Sequence, residues 1–366
     1  LFSSSPVTLP VVCLLGVITY TSDFFGYGDS VEELSLPFLA QSLYFMLRFV
    51  KDRHAPHWWQ SLIMGVGIGL IFWMKYNLLF FYIGGVLALW YIAKKNGQMQ
   101  ELLRAIGWIL VGFALVTAWV LLYFGLHGTL DALWESYFMV NIFHYHGTAT
   151  NGAPDYWWFP LFKLGIWAIL MLPAVFLPVG KDVKLLLVGT YGLLMLSFAM
   201  LTVQFYYFLT VFTFFPLLIC YAKDYKPTWR TYLLFTFVAI WSVATNWNLV
   251  TRLNGTFPYC VFEMAEIVNA NRSDDSEVLT FSSYDSGIYQ HTNHLPPNPN
   301  FFISSYLSPD IKKEQAEWVA SGKVKYLVRV IGAVKTCHDY YDAPIPENYH
   351  LIYDKEELFR YRFCVT

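Results

Sequence analysis

Charge is scarce in this chain. Asp, Glu, Lys and Arg make up 14% of its 366 residues, where a soluble domain carries about 25%. An ordinary soluble globular protein is thereby excluded as a description of the whole. A basic excess is also missing, with 24 Lys and Arg against 26 Asp and Glu, and no nucleic-acid partner is expected. Cysteine is sparse too. Of the five, Cys13 and Cys220 lie in apolar runs and read as core residues. Cys260, Cys337 and Cys364 lie in the polar C-terminal part, where three thiols allow at most one bridge, so no disulfide framework is implied. The chain has no nucleotide-binding glycine loop, no CxxC pair and no defensible Ser-His-Asp spacing. It has no internal repeat and no low-complexity tract. It begins at Leu1 with no positively charged n-region, and reads as a fragment or processed product rather than as a signal peptide.

What is present is apolar and aromatic. Hydrophobic residues make up 56% of the chain, aromatics 19%, and mean hydropathy is +0.43. About 20 apolar residues suffice to cross a bilayer as a helix, and helices satisfy their own backbone groups there. Nine spans are expected, near 5–21, 36–50, 58–74, 77–93, 103–126, 157–178, 184–203, 205–222 and 230–250. The connectors 51–57, 94–104, 179–184 and 223–230 hold ten Lys and Arg, while the alternate connectors 22–35, 75–77, 127–156 and 203–204 hold one, Lys75. This positive-inside asymmetry predicts that 22–35, 127–156 and everything after 250 lie outside the cytoplasm. The cluster Tyr156-Trp157-Trp158-Phe159 fits an interfacial belt on that outer side.

Beyond Arg252 the composition turns polar, with Pro296-Pro297, Pro344 and Pro346 as breakers. Helices near 259–271 and 309–321 and strands near 277–282, 324–331, 349–353 and 358–364 predict a small α/β domain. The organisation expected is therefore a polytopic helical membrane domain over 1–252 and an extracytoplasmic α/β domain over 253–366.

The chemistry-bearing residues gather in the outer connectors. Gly28-Asp29-Ser30-Val31-Glu32-Glu33 carries Asp29, Glu32 and Glu33 at spacings that bring them near one face of a first helical turn. Ser30-x-x-Glu33 is also a capping box, and acidic residues suit a helix N-terminus, so Glu33 has a structural explanation. Asp29 and Glu32 are left as candidate base, metal ligands or sugar binders. Any cation held there is expected to be divalent, Mg or Mn. Lys75-Tyr76-Asn77 interrupts an apolar run. Lys75 can snorkel to the interface or meet a lipid-linked phosphate, and the same two readings hold for Lys163. In loop 127–156, Asn141 and Tyr145 would share a helix face and could bind sugar hydroxyls. His144 and His146, two apart, make a poor chelate. Gln204, Tyr206 and Tyr207 sit at another outer turn.

These residues resemble a known family. Gly28 to Glu33 ahead of a span, Gly69 to Asn77, Trp134 to Tyr145, Tyr207 to Pro216, and Tyr284-Asp285-Ser286-Gly287-Ile288-Tyr289 followed by Pro296-Pro297 are similar to segments of the membrane-embedded GT-C glycosyltransferases. The bacterial members of glycosyltransferase family 39, like the protein O-mannosyltransferases, look nearest. Gln204 departs from the pattern, which has a His before the aromatic pair. The resemblance implies an inverting transfer of a sugar from a polyprenyl-phosphate donor to a glycan, lipid or protein acceptor at the outer face of the plasma (inner) membrane. In such proteins the main base lies in the loop after the first span. That loop is expected upstream of Leu1, which leaves Glu32 and Asp29 as supporting carboxylates. Glu33, Lys75, Tyr76, Asn141, Tyr145, Lys163, Gln204, Tyr206 and Tyr207 are then expected to bind substrate. The alternative classes are an O-antigen polymerase or ligase, whose signature residues are basic, and a transporter or non-enzymatic scaffold, which would carry polar groups at mid-membrane.

Overall fold

The computed structural model describes residues 8–21, 30–144, 165, 176–199, 205–222, 226–245, 260–271, 277–280, 287–295, 309–322, 324–332, 349–356 and 361–365. The chain divides into two units, one of residues 1–128 and 155–250, the other of 129–154 and 251–366.

The first unit is helical. Its helices are α1 (Thr8–Thr21), α2 (Val31–Asp52), α3 (Trp58–Met74), α4 (Leu79–Lys95), α5 (Met99–Leu126), α6 (Lys181–Ala199), α7 (Phe205–Ala222, wound as a 3-10 helix) and α8 (Trp229–Ala244). A single 3-10 turn, Tyr76–Leu78, joins α3 to α4. Among the described residues two segments are long and apolar enough to cross a membrane, Tyr76–Lys95 and Met99–Leu126. Pro10–Thr21, Trp58–Met74 and Trp229–Ala244 are apolar but shorter. The expected span 157–178 lies mostly outside the described residues. The expected start of the second span at 36 is corrected to Val31, because Ser30 caps the helix and draws the acidic residues into its first turn.

Two helix crossings hold this unit together, and glycine makes both. A Cβ on Gly84 of α4 would sit 2.0 Å from the Gly189 carbonyl oxygen of α6. On α3 and α5, a Cβ on Gly65 would sit 2.1 Å from the Ile109 oxygen, and one on Gly112 would sit 2.2 Å from the Leu62 oxygen. Backbones therefore touch where side chains would otherwise keep them apart, the mode of association open to helices that gain little from hydrophobic burial. Around the α4–α6 crossing, Phe81, Tyr191 and Phe214 pack edge to face and are fully buried. Two pairs of buried hydroxyls are hydrogen-bonded to each other. Ser42 Oγ donates to Tyr82 Oη at 3.4 Å, and Tyr191 Oη is hydrogen-bonded to Thr213 Oγ1.

The outer surface of the unit is apolar. Trp119 is 73% exposed, Trp229 68% and Leu126 77%. Only 11% of the apolar window of α5 is buried. Scattered apolar residues are normal on a soluble surface, but a continuous apolar face of this extent marks an interaction surface. Cys13, expected in the core, is exposed on α1, because that helix is apolar all round and its own sequence does not select an inner face.

The ends of the helices differ in charge. At one end Asp182 of α6 meets Lys95 Nζ at 3.1 Å and Arg53 Nη2 at 3.5 Å, and Gln98 donates to the Arg53 carbonyl. The Ala55 amide donates to Glu101 at 3.4 Å. Exposed pairs of this kind stabilise little individually. Their geometric content is that connectors 51–57, 94–104 and 179–184 converge. Helix direction puts Ser30, Lys75 and the start of α7 at the opposite end.

The second unit carries a four-stranded sheet, with β1 (Glu277–Thr280), β2 (Val324–Gly332), β3 (Tyr353–Glu356) and β4 (Tyr361–Val365) in the order β1-β2-β4-β3. β1 and β2 are parallel, and the other two pairings are antiparallel. Alternation along β1 sends Val278 to one face and Leu279 to the other. Val278 packs with Met264 and Val268 of α9 (Cys260–Asn271) and with Ile288 and Tyr289 of α10 (Ile288–Thr292). Leu279 packs with Leu327 and with Val319 of α11 (Pro309–Ala320). Tyr289 Oη accepts the Thr280 amide at 2.9 Å. The stretch 127–156, expected as a loop, is helical in part. Leu130–Leu133 forms a helical turn that continues as π-helix over Trp134–His144.

The glycine crossings predict an asymmetric response to alanine. Gly84→Ala and Gly112→Ala are each expected to cost about 1–3 kcal/mol of stability through overpacking. Gly107→Ala, with nothing within 4 Å of the new methyl, should be neutral. Thermal unfolding in detergent measures this, and three indistinguishable curves would rule out the close crossings.

Candidate active site at the end of the helical unit

Helical phase explains the first residue of the site. Among the buried positions on α2, Glu32, Ser35, Leu39, Ser42, Leu43, Met46, Phe49 and Val50 follow the spacing of one helix face, which Phe45 and Leu47 widen toward its C-terminal half. Glu32 is the first of that stripe and is 1% exposed. Glu33 is one position, about 100°, further round and only half-buried. Its amide donates to Ser30 Oγ at 3.1 Å, the expected cap. The two glutamates therefore do not share a face. Ser35 Oγ donates to the Glu32 carbonyl at 2.7 Å.

The second residue is placed by a chain reversal. Lys75 caps α3, its amide donating to Ile71 O at 2.7 Å, and then leaves helical geometry with φ −162° and ψ 91°. Leu78 N donates to Lys75 O at 3.1 Å and closes the 3-10 turn into α4. This turn delivers the Lys75 side chain to α2, where Nζ pairs with Glu32 Oε1. The pair also joins complementary helix ends. A carboxylate sits at the N-terminus of α2 and an ammonium at the C-terminus of α3, each favoured by the local dipole.

Tyr207 of α7 completes the cluster. It is buried, stacks on Phe198 at 4.6 Å and presents its ring to Lys75 Nζ at 4.0 Å. A cation over a desolvated ring gains about 1–2 kcal/mol. Burial pulls the Lys75 pKa below its ordinary value, and the Glu32 carboxylate opposes that shift. Two residues on, Asn77 is 7% exposed, and its Oδ1 has no hydrogen-bond partner. A buried amide oxygen without a donor costs about 1–3 kcal/mol, so its persistence at this turn makes it a candidate acceptor for a ligand hydroxyl.

Of the residues expected in the site, Glu32, Lys75 and Tyr207 come together. Tyr76 stands in the same turn, half-buried. Asp29, Tyr145, Lys163 and Gln204 lie outside the described residues. Tyr206 falls in α7, and Asn141 in the helical segment Trp134–His144 of the second unit. Glu32, expected as a candidate base, metal ligand or sugar binder, is paired with Lys75. Among the described residues no group of three His, Cys, Asp or Glu is arranged for a metal ion. Sequence reasoning passes over Asn77, which stands two residues beyond Lys75. The signal that could have found it is its place in a three-residue polar break between apolar helices.

The ion pair makes a clear prediction. Breaking a buried pair from one side costs about 3–5 kcal/mol, whereas replacing both partners is far milder. Glu32→Gln and Lys75→Met should each lower stability by about 3 kcal/mol. The double variant Glu32→Gln/Lys75→Met should recover most of it. Additive losses in a double-mutant cycle would show that the two side chains do not interact.

No family model matches this chain, and no curated protein or solved structure is significantly similar to it.

Proposed function

We propose that this chain is a membrane glycosyltransferase of the GT-C type, multi-pass in the plasma (inner) membrane, with residues 253–366 as an extracytoplasmic α/β domain. In this reading it moves a sugar from a polyprenyl-phosphate donor to a glycan, lipid or protein acceptor of the cell envelope, with inversion. The observation that carries the proposal is the buried Glu32–Lys75 pair beneath Tyr207. It supports the reading because it stands at the end of the helices opposite the basic connectors. An ionisable pair held at such a place is costly unless it serves a function.

The chemistry asked of the site follows from the bond changes. The acceptor hydroxyl gives its proton to a carboxylate base while its oxygen bonds to the anomeric carbon. The bond from that carbon to the phosphate oxygen breaks, and polyprenyl phosphate leaves with the electron pair. Charge grows on the leaving phosphate, and a fixed cation lowers the barrier by meeting it there. Lys75 takes that role. Glu32 keeps the ammonium charged and oriented in the empty site, and yields it to the phosphate when donor binds. Asp29 is a second supporting carboxylate. The Asn77 carbonyl oxygen and the Tyr76 and Tyr207 side chains suit a sugar, whose hydroxyls need acceptors and whose ring stacks on aromatics.

The test is sugar transfer by the full-length, membrane-inserted protein from a pool of polyprenyl-phosphate sugars. Lys75→Met should reduce transfer by about 10²-fold or more, and Lys75→Arg should retain more activity than Lys75→Met. If the Glu32→Gln/Lys75→Met variant folds as stably as the parent, it should nevertheless be inactive. Transfer that is undiminished in Lys75→Met, or absent from the parent with every donor, would overturn the proposal.

A further inference from the structure

A groove of about 720 Å³ runs beside the crossing of α4 and α6, at the end of the unit remote from Glu32 and Lys75. Its length is apolar and open. Leu87 is 63% exposed, Tyr91 60% and Val188 55%, and Gly84 and Gly189 bring the two backbones together at its floor. Its mouth is cationic. Lys95 and Lys181 both line it, with Asp182 between them. Asp182 is already engaged by Lys95 and by Arg53, and Lys181 makes no ion pair among the described residues. Three cations thus surround one carboxylate, and an anion would offset the positive excess they leave at the mouth. From Lys181 to Leu193 the groove follows α6 for about 18 Å, at 1.5 Å per residue. That is close to one leaflet of hydrocarbon, about 15 Å.

We infer that this groove holds an anionic glycerophospholipid of the cytoplasmic leaflet, its phosphate on Lys95 and Lys181 and one acyl chain along Leu87, Tyr91 and Val188. Charge complementarity and length select this occupant. A second copy of the chain or a zwitterionic lipid would leave the mouth unbalanced, and a basic pocket between helices on the cytoplasmic side is the kind of site anionic headgroups occupy. The inference rests on the membrane placement proposed above, but not on sugar transfer.

The full chain, in nanodiscs of equal parts palmitoyl-oleoyl phosphatidylglycerol and phosphatidylcholine, would be released and weighed by native mass spectrometry. The parent should retain phosphatidylglycerol preferentially. Lys181→Gln, which breaks no ion pair, should reduce that preference about fivefold, the weight of one lysine near a lipid surface. Val188→Trp should fill the groove and lower retention of both lipids. Equal retention of the two lipids by the parent, an unchanged preference in Lys181→Gln, or a dimer that sheds lipid would each overturn the inference. An inactive transferase that keeps the lipid leaves it standing, and an active one that keeps none refutes it alone.

Discussion

Backbone contact between helices is the constraint on which the helical unit depends. Gly84 against Gly189, and Gly65 with Gly112 across α3 and α5, leave no room for a single added carbon. Apolar side chains pack in many registers at similar energy, and in a lipid surround they gain little from mutual burial. A carbonyl oxygen in contact with a glycine admits one register only. Everything that follows in this unit is read out from those crossings. The aromatic contacts of Phe81, Tyr191 and Phe214 gather around one of them.

The order of ends has an electrostatic result. Alternate connectors fall at opposite ends, so Arg53, Lys95, Lys181 and Asp182 share one end while Glu32, Lys75 and Tyr207 share the other. The two clusters are built differently. At the basic end the partners are exposed and the pairing is loose, which leaves cations to spare for an anion. At the other end Glu32 is 1% exposed and Lys75 lies against a tyrosine ring. Desolvation makes that second pair sensitive to the loss of either member, and it makes Lys75 a stronger partner for any phosphate that displaces Glu32. The proposed leaving-group site and the proposed headgroup site thus trace to one topological rule.

The sequence was most legible where the controlling physics is local. Hydropathy located the described helices to within a turn or two, the expected span 157–178 lying mostly outside the described residues. Ser30 announced the start of α2, and the strands expected near 277–282 and 324–331 are found at Glu277–Thr280 and Val324–Gly332. It was less legible at single residues. Cys13 read as core and is exposed, because α1 is apolar on every face. Glu32 and Glu33 read as one cluster. The stripe Leu39, Leu43, Met46 and Val50 would have separated them, since helical phase extends back to Glu32 and misses Glu33. The partner of Glu32 is set by something no local pattern contains, the arrival of an ammonium from 43 residues away.

The sequence by itself determined which segments are apolar helices, which end of each carries charge, and where the polar, strand-bearing region begins. These properties depend on neighbours within a turn or a pleat. Only the tertiary structure decided that Glu32 meets Lys75, that Tyr207 covers them, and that Asn77 is buried with an unmet carbonyl oxygen. Those outcomes depend on which helix ends are adjacent and at what height. Adjacency depends on packing between segments far apart in the chain, among which the glycine contacts of α3 with α5 and of α4 with α6 are the closest approaches of backbone.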